Sequence, residues 1–227
     1  MAEQKPTLPN GFIGAQPRFS ELKLKTDSHK SSQIKVHGQN TEWIKIKTED
    51  PVKVVTKLVK CAGDQELPGY VFCQRKDDDE DVRFLLGFPD KGWYKFQIFA
   101  LPEKDPAENL PNVYNYLIEV TGNFLPATPF VKTYTKFYQD CCYLEEPLSI
   151  NPNTDDLDDV KFKVTVPHAI KVAVHAVDEW FHLEKKGSKW VGSAALARFK
   201  SSGAKITLNA NYEKDSNTYS VLLEYNI

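Results

Sequence analysis

Residues 91–105 read KGWYKFQIFALPEKD, and residues 201–215 read SSGAKITLNANYEKD. Set side by side at an offset of 110, Phe96 meets Ile206, Ile98 meets Leu208, Ala100 meets Ala210, and Glu103-Lys104-Asp105 meets Glu213-Lys214-Asp215. In both copies apolar residues fall on alternate positions, the period of a strand with one wet face. The text that follows also recurs: NVYNYLIEV (112–120) against NTYSVLLEYNI (217–227), with Tyr114 on Tyr219, Leu117 on Leu222, Ile118 on Leu223 and Glu119 on Glu224, now at an offset of 105. The fall from 110 to 105 predicts a five-residue insertion in the first copy, in PAENLPN (106–112), whose prolines suit a loop and not a central strand. Two ribbons joined by a loop of variable length describe a hairpin, and its recurrence predicts a duplicated domain.

The text around these hairpins has the same style. TEWIKIKTE, VKVVTKLVK, GYVFCQRK and VRFLLGF precede the first copy; VKTYTKFY, CYLEEPL, VKFKVTV, IKVAVHAV, EWFHLEKK and KWVGSAAL precede the second. Trp43 falls out of phase with Ile44 and Ile46, but Lys45 and Lys47 oppose the two isoleucines, and helical spacing fits poorly. Six or more short strands per half, broken every few residues, predict an all-β chain of two tandem immunoglobulin-like antiparallel β-sandwich domains. Gly122, Pro126 and Pro129 interrupt the alternation in TGNFLPATPF. The expected organisation is therefore an extended arm over 1–11, a first sandwich over 12–122 and a second over 123–227.

Composition narrows the function. A chain of 227 residues with 41% hydrophobic and 26% charged residues can build a core in each half and lies far from the signature of disorder. A net charge of −2, with lysines scattered singly along strands, gives no basic face for phosphate backbones, so nucleic acid is not an expected partner. No run approaches the roughly 20 apolar residues of a membrane span, the first residues lack a signal-peptide pattern, and no Asn-x-Ser/Thr acceptor occurs. Four cysteines, two of them adjacent, do not make a disulfide scaffold, which points to a cytoplasmic protein with reduced thiols.

Candidate chemistry is sparse. Cys141 or Cys142 could be combined with His168, His175 or His182 into a nucleophile and base. No cysteine opens a predicted helix, and a buried free cysteine behaves mostly as a small hydrophobe, so no catalytic residue is assigned. Cys61 and Cys73 lack the spacing of a zinc site. The acidic runs Asp77 to Asp81 and NPNTDDLDD (151–159) supply oxygens for calcium but not the glycine-centred spacing of a calcium loop; solvated tips are the better reading, so no metal and no cofactor is expected. In DEWFHLEKKGSKWVG, Trp180 and Trp190 stand at similar distances from a turn at Lys186-Gly187-Ser188 and could share one face of a hairpin. Buried they are core, the favoured reading; exposed they form a recognition surface. Trp180, Phe181, His182 and Trp190, with Pro106, Glu108 and Asn109 of the loop between the first pair of ribbons, are the candidate protein-binding residues.

FIGAQPRFSELKL (12–24) with His29 and Ile34, FPDKGWYKFQIFA, YLEEPLS, VAVHAVDEWFHL and YSVLLEY occur in an order that resembles the immunoglobulin-like region following the transglutaminase-like domain in the kyphoscoliosis peptidase and hillarin group. The resemblance implies a non-catalytic interaction or scaffolding module with cytoskeletal or structural protein partners, and no small-molecule substrate. The papain-like catalytic domain of that group has no counterpart in this text, so no catalytic position carries over. Two alternatives stay open: an accessory region of a cysteine-dependent transglutaminase-like peptidase, and a calcium-dependent adhesion module.

Overall fold

The computed structural model describes residues 2–78 and 80–227. The chain folds into two compact units, Met1–Cys73 with Asp78–Thr128 and Gln74–Asp77 with Pro129–Ile227.

In the first unit the elements run β1 (Gly14–Ala15), α1 (Pro17–Glu21), β2 (Leu24–Thr26), β3 (Gln33–His37), β4 (Thr41–Thr48), β5 (Val52–Lys60), β6 (Gln65–Glu66), β7 (Val71–Gln74), β8 (Asp81–Gly87), β9 (Gly92–Pro102) and β10 (Asn112–Thr121). They form a sheet in the order β2-β4-β8-β7 and another in the order β1-β10-β9-β5-β6, with β3 added to β10 in parallel. That is the A-B-E-D and G-F-C-C′ arrangement of an immunoglobulin sandwich. The second unit repeats it with β11 (Lys132–Thr133), α2 (Thr135–Gln139), β12 (Tyr143–Glu146), β13 (Val160–Thr165), β14 (Lys171–Ala176), β15 (Glu179–His182), β16 (Glu184–Lys186), β17 (Lys189–Ala194), β18 (Lys205–Asn211) and β19 (Ser220–Asn226). Its sheets are β12-β13-β17-β16 and β11-β19-β18-β14-β15. Among the described residues the chain is thus all-β apart from two five-residue helices and short 3₁₀ turns.

Alternation builds each core. In β4, Ile44 and Ile46 are buried and face Phe84 and Val82 of β8, while Lys45 and Lys47 point to water. Phe96 and Ile98 of β9 meet Tyr116 and Tyr114 of β10, and Phe96 lies 5.5 Å edge-on from Phe84 across the sandwich. Full burial of such a side chain contributes about 1.5–3 kcal/mol. The Tyr94 hydroxyl donates to the Asp90 carbonyl at 2.6 Å and its ring packs 5.0 Å from Phe88, so the tyrosine pins the corner entering β9. In the second unit Phe162 stands 5.9 Å edge-on to Tyr225, whose hydroxyl donates to the Pro147 carbonyl at 2.7 Å.

Three expectations are corrected. Phe96 pairs with Tyr116 and Ile206 with Tyr225, so the two hairpins differ in length by one residue and the five-residue insertion does not exist. The textual match of β10 with β19 was displaced by four positions. A displacement of four keeps every side chain on its own face of a strand, which is why the apolar pattern still agreed.

VKTYTKFY is not a strand: after Lys132–Thr133 the chain turns into α2. Phe137 is fully buried, and α2 lies against β19, where the Tyr134 amide donates to the Leu222 carbonyl at 2.9 Å. Tertiary burial of one aromatic overrides the weak preference of a five-residue helix. The helix ends with the Cys141 amide on the Tyr138 carbonyl (3.2 Å) and the Cys142 amide on the Phe137 carbonyl (3.0 Å), Cys141 adopting φ 55°. This is a Schellman cap. Helix α1 ends alike, with Lys23 at φ 56°, its amide on the Ser20 carbonyl, and Leu24 buried after it. Cys141 and Cys142 therefore occupy the places of Lys23 and Leu24 in a duplicated capping motif.

The third correction concerns the tryptophans. Trp180 lies on β15 and Trp190 on β17, which belong to opposite sheets; Trp190 faces Val164 and is 6% exposed, whereas Trp180 is 45% exposed. The indoles do not share a face. The chain passes from one sheet to the other at Leu183, whose side chain fills the space that a Cβ on Gly192 would take, at 2.8 Å.

Candidate protein-interaction surface

The exposed indole is built into the sheet from β14 outward. Strands β14 and β15 are joined by the two-residue turn Val177-Asp178, with Ala176 facing Glu179 and His175 facing Trp180. The first turn position requires a positive φ, and Val177 adopts +54° there while 63% exposed. A β-branched residue in that region is strained where glycine would not be. Arg198 holds the turn from the side, its guanidinium 3.0 Å from Asp178 and 2.6 Å from Glu179.

The Trp180 ring is fixed between two partners. His175 lies 4.3 Å away between centroids and Tyr219 4.9 Å away, tilted by 35° and 42°. Such contacts restrict the indole on the outer face of the sheet, so a partner meets it without a large loss of side-chain freedom. His182 is exposed on the same face of β15, and Phe181 points inward at the rim opposite Val174. Among the candidate residues the structure thus brings Trp180 and His182 to one outer face and consigns Trp190 to the core. Sequence reasoning missed Tyr219 and the role of His175, because a Val-Asp turn carries none of the Gly or Asn signals of a tight hairpin.

Pro106, Glu108 and Asn109 are exposed in the β9–β10 loop of the first unit. Lys53 ties that loop down by donating to the Asp105 and Ala107 carbonyls, both at 2.6 Å. Beside it Val55, Lys57, Glu66, Phe99 and Leu110 line an open groove of about 320 Å³.

Two of the thiols lie where burial opposes activation. Burial pushes the Cys142 thiol up to about 12, and burial likewise raises Cys61. Cys141 and His168 do line a common cleft with Lys136, Asp140 and Tyr212. Cys141, however, follows the C-terminal end of α2 and does not stand at a helix N-terminus, the place that favours reactive thiols. Among the described residues no group of three or more His, Cys, Asp or Glu side chains could hold a metal ion. The first acidic run includes Asp79, which lies outside the described residues. In the second, the Lys161 ammonium holds the Asp159 carboxyl below the usual carboxylate range, with help from Ser193.

Two sandwiches of immunoglobulin topology, each with a G-F-C-C′ sheet, define the fold class as tandem immunoglobulin-like domains. Residues 8–130 match the family described as KY-like, immunoglobulin-like domain, and the chain belongs to that family. No curated protein matches it. Solved structures similar to it include a marsupial T cell receptor (12% identity, 98% of this chain and 97% of that one, TM-score 0.29). Others are the complex of Dpr1 IG1 with DIP-eta IG1 (14%, 43% and 96%, 0.27) and the titin domains z1z2 in complex with telethonin (12%, 86% and 92%, 0.23). At these scores the likenesses carry no argument about what this chain does.

Proposed function

We propose that the chain is a non-catalytic protein-interaction or scaffolding module that holds cytoskeletal or structural proteins in the cytoplasm, with domains over 12–122 and 123–227 and an arm over 1–11. The observation that carries the reading is Trp180, 45% exposed yet immobilised between His175 and Tyr219 on an outer sheet face. A large apolar side chain held in water stabilises the fold little where it stands and gains most on meeting a partner. The β9–β10 loop with Pro106, Glu108 and Asn109, beside Val55 and Phe99, is the corresponding candidate in the first unit. No described helix is long and apolar enough to cross a membrane.

The test uses the immobilised full chain and an extract rich in cytoskeletal protein. Trp180→Ala is expected to keep the parent's thermal melt and to lose the protein retained by the parent. Undiminished retention sinks the reading. The family match supports a second role alongside the first, as an accessory region of a longer transglutaminase-like peptidase, since a KY-like immunoglobulin-like domain is a non-catalytic part of such chains.

A further inference from the structure

The outward face of β9 and β10 in the first unit is covered. Trp93, Lys95 and Gln97 stand opposite Glu119, Leu117 and Asn115 and alternate with the core residues Tyr94, Phe96, Tyr116 and Ile118, so all six point away from the sandwich interior. Leu117 and Asn115 are nonetheless only 2% and 1% exposed. The segment before β1 lies over them. The Asn115 side-chain amide donates to the Phe12 carbonyl at 2.7 Å, and the Lys95 ammonium is 5.9 Å from the Phe12 ring. The chain turns over Pro9–Phe12, with the Phe12 amide on the Pro9 carbonyl at 3.1 Å. On the other side of that turn the Lys5 ammonium donates to the Gln33 side-chain carbonyl at 3.0 Å and stands 5.9 Å from the Trp93 ring, while the Trp93 indole donates to the Glu3 carbonyl at 3.3 Å. The Glu3 carboxylate occupies space that a Cβ on Gly92 would take. Leu117 pairs with Lys95 on one side and Gln33 on the other, the two residues that meet Phe12 and Lys5.

This arm is seated on the sheet without being built into it. Residues 2–5, 7 and 9 are exposed, none of 2–9 is fully buried, and none belongs to a strand. A segment held by so few contacts opens at a small fraction of the cost of global unfolding. We propose that residues 2–9 are a detachable cover over a peptide-binding groove, and that the groove takes from a partner protein an extended segment of the arm's own chemistry: an acidic residue, a lysine two positions on, and a proline directly after it. The seat defines that occupant. The acidic side chain fits over Gly92, its carbonyl takes the Trp93 indole, and the lysine fits between Gln33 and Trp93. The proline, here Pro6, has no amide to satisfy and keeps the segment extended. This deepens the interaction reading above and rests on it for the existence of a partner. A tethered arm competes at an effective concentration of about millimolar, so it closes the groove to weak ligands and yields to a stronger one.

The probe is a capped peptide of residues 2–9, titrated against the full chain while the Trp93 indole N–H resonance is followed by NMR. Lys5→Glu on the arm with Gln33→Glu on exposed β3 sets like charge against like in cis, so the double variant should release its arm and shift the Trp93 resonance. The peptide keeps its lysine. It is expected to bind the double variant saturably, to return the Trp93 resonance toward the parent position, and to bind at least about tenfold more tightly than it binds the parent, whose arm competes. A peptide with that lysine replaced by glutamate should bind at least about tenfold more weakly. An unmoved Trp93 resonance in the variant, absence of saturable binding at millimolar peptide, equal affinity for parent and variant, or indifference to the lysine would each overturn the assignment. So would self-association of the parent that tracks the Trp93 shift, because the occupant would then be the arm of a second copy. Trp180-dependent capture of a cellular partner with no peptide effect at Trp93 would leave the interaction reading standing and remove the groove; capture indifferent to Trp180 would remove the reading itself.

Discussion

Tyr94→Phe isolates one hydrogen bond in the first sandwich. The Tyr94 ring is fully buried and keeps its packing on Phe88 in the variant, so only the 2.6 Å bond from its hydroxyl to the Asp90 carbonyl is lost. A net intramolecular hydrogen bond contributes about 1 kcal/mol, and a stranded acceptor adds to the loss. Asp90 is exposed, so water reaches its carbonyl and the added penalty is small. The expected destabilisation is about 1.5 kcal/mol. With a urea slope of about 2 kcal/mol per molar, the midpoint falls by roughly 0.7 M. Fluorotryptophan NMR in urea resolves the four indoles, and Trp43 and Trp93 report the first unit. An unchanged midpoint for Trp43 and Trp93 would refute the role given to the corner, as would a loss large enough to unfold the unit, which would mean that the hydroxyl supports more than this one carbonyl.

Other outcomes follow from the same geometry. Gly192→Ala places a methyl 2.8 Å from Leu183 Cδ2 and should cost about 1–3 kcal/mol in urea melts, with part of the loss recovered by Leu183→Ala in the double variant; additive losses would place the clash elsewhere. Val177→Gly relieves a positive φ on a β-branched residue and should stabilise the second unit by about 1 kcal/mol, measured from the Trp190 transition. Glu145 accepts from Lys189 and from Lys163 (3.2 Å), and its carboxyl is held below the ordinary value of 4.5. Its folded pKa being depressed, its contribution is present above that value and fades as pH falls through the folded one. Glu145→Gln should therefore flatten the acid limb of the melting curve, and an unchanged limb would contradict this.

The fold was legible where burial imposes a period of two: TEWIKIKT, KFQIFAL and KITLNAN are strands with the predicted faces, and their recurrence announced two sandwiches. What escaped was information that alternation does not encode. A slip of four residues leaves every face unchanged, so register between copies came only from the ladder of Phe96 on Tyr116 and Ile206 on Tyr225. The passage of the chain between sheets at Leu183 looked like continuous ribbon, because its enabling residue, Gly192, is distant in sequence and acts by lacking a side chain. Likewise the period of VKTYTKFY did not reveal that burial of Phe137 would wind it into a helix, although the parallel between RFSELKL and KFYQDCC was available. The exposed indole was among the residues singled out, but its supports were not, since His175 reaches it from β14 and Tyr219 from the entry to β19, brought near only by the pairing of β19, β18, β14 and β15.

The central claim is that this chain works through a surface on its second sandwich and not through a thiol. Partner retention by two folded variants, Trp180→Ala and Cys141→Ser, tests it directly. Retention lost in the first and kept in the second is the predicted result; retention kept in the first and abolished in the second would contradict the account.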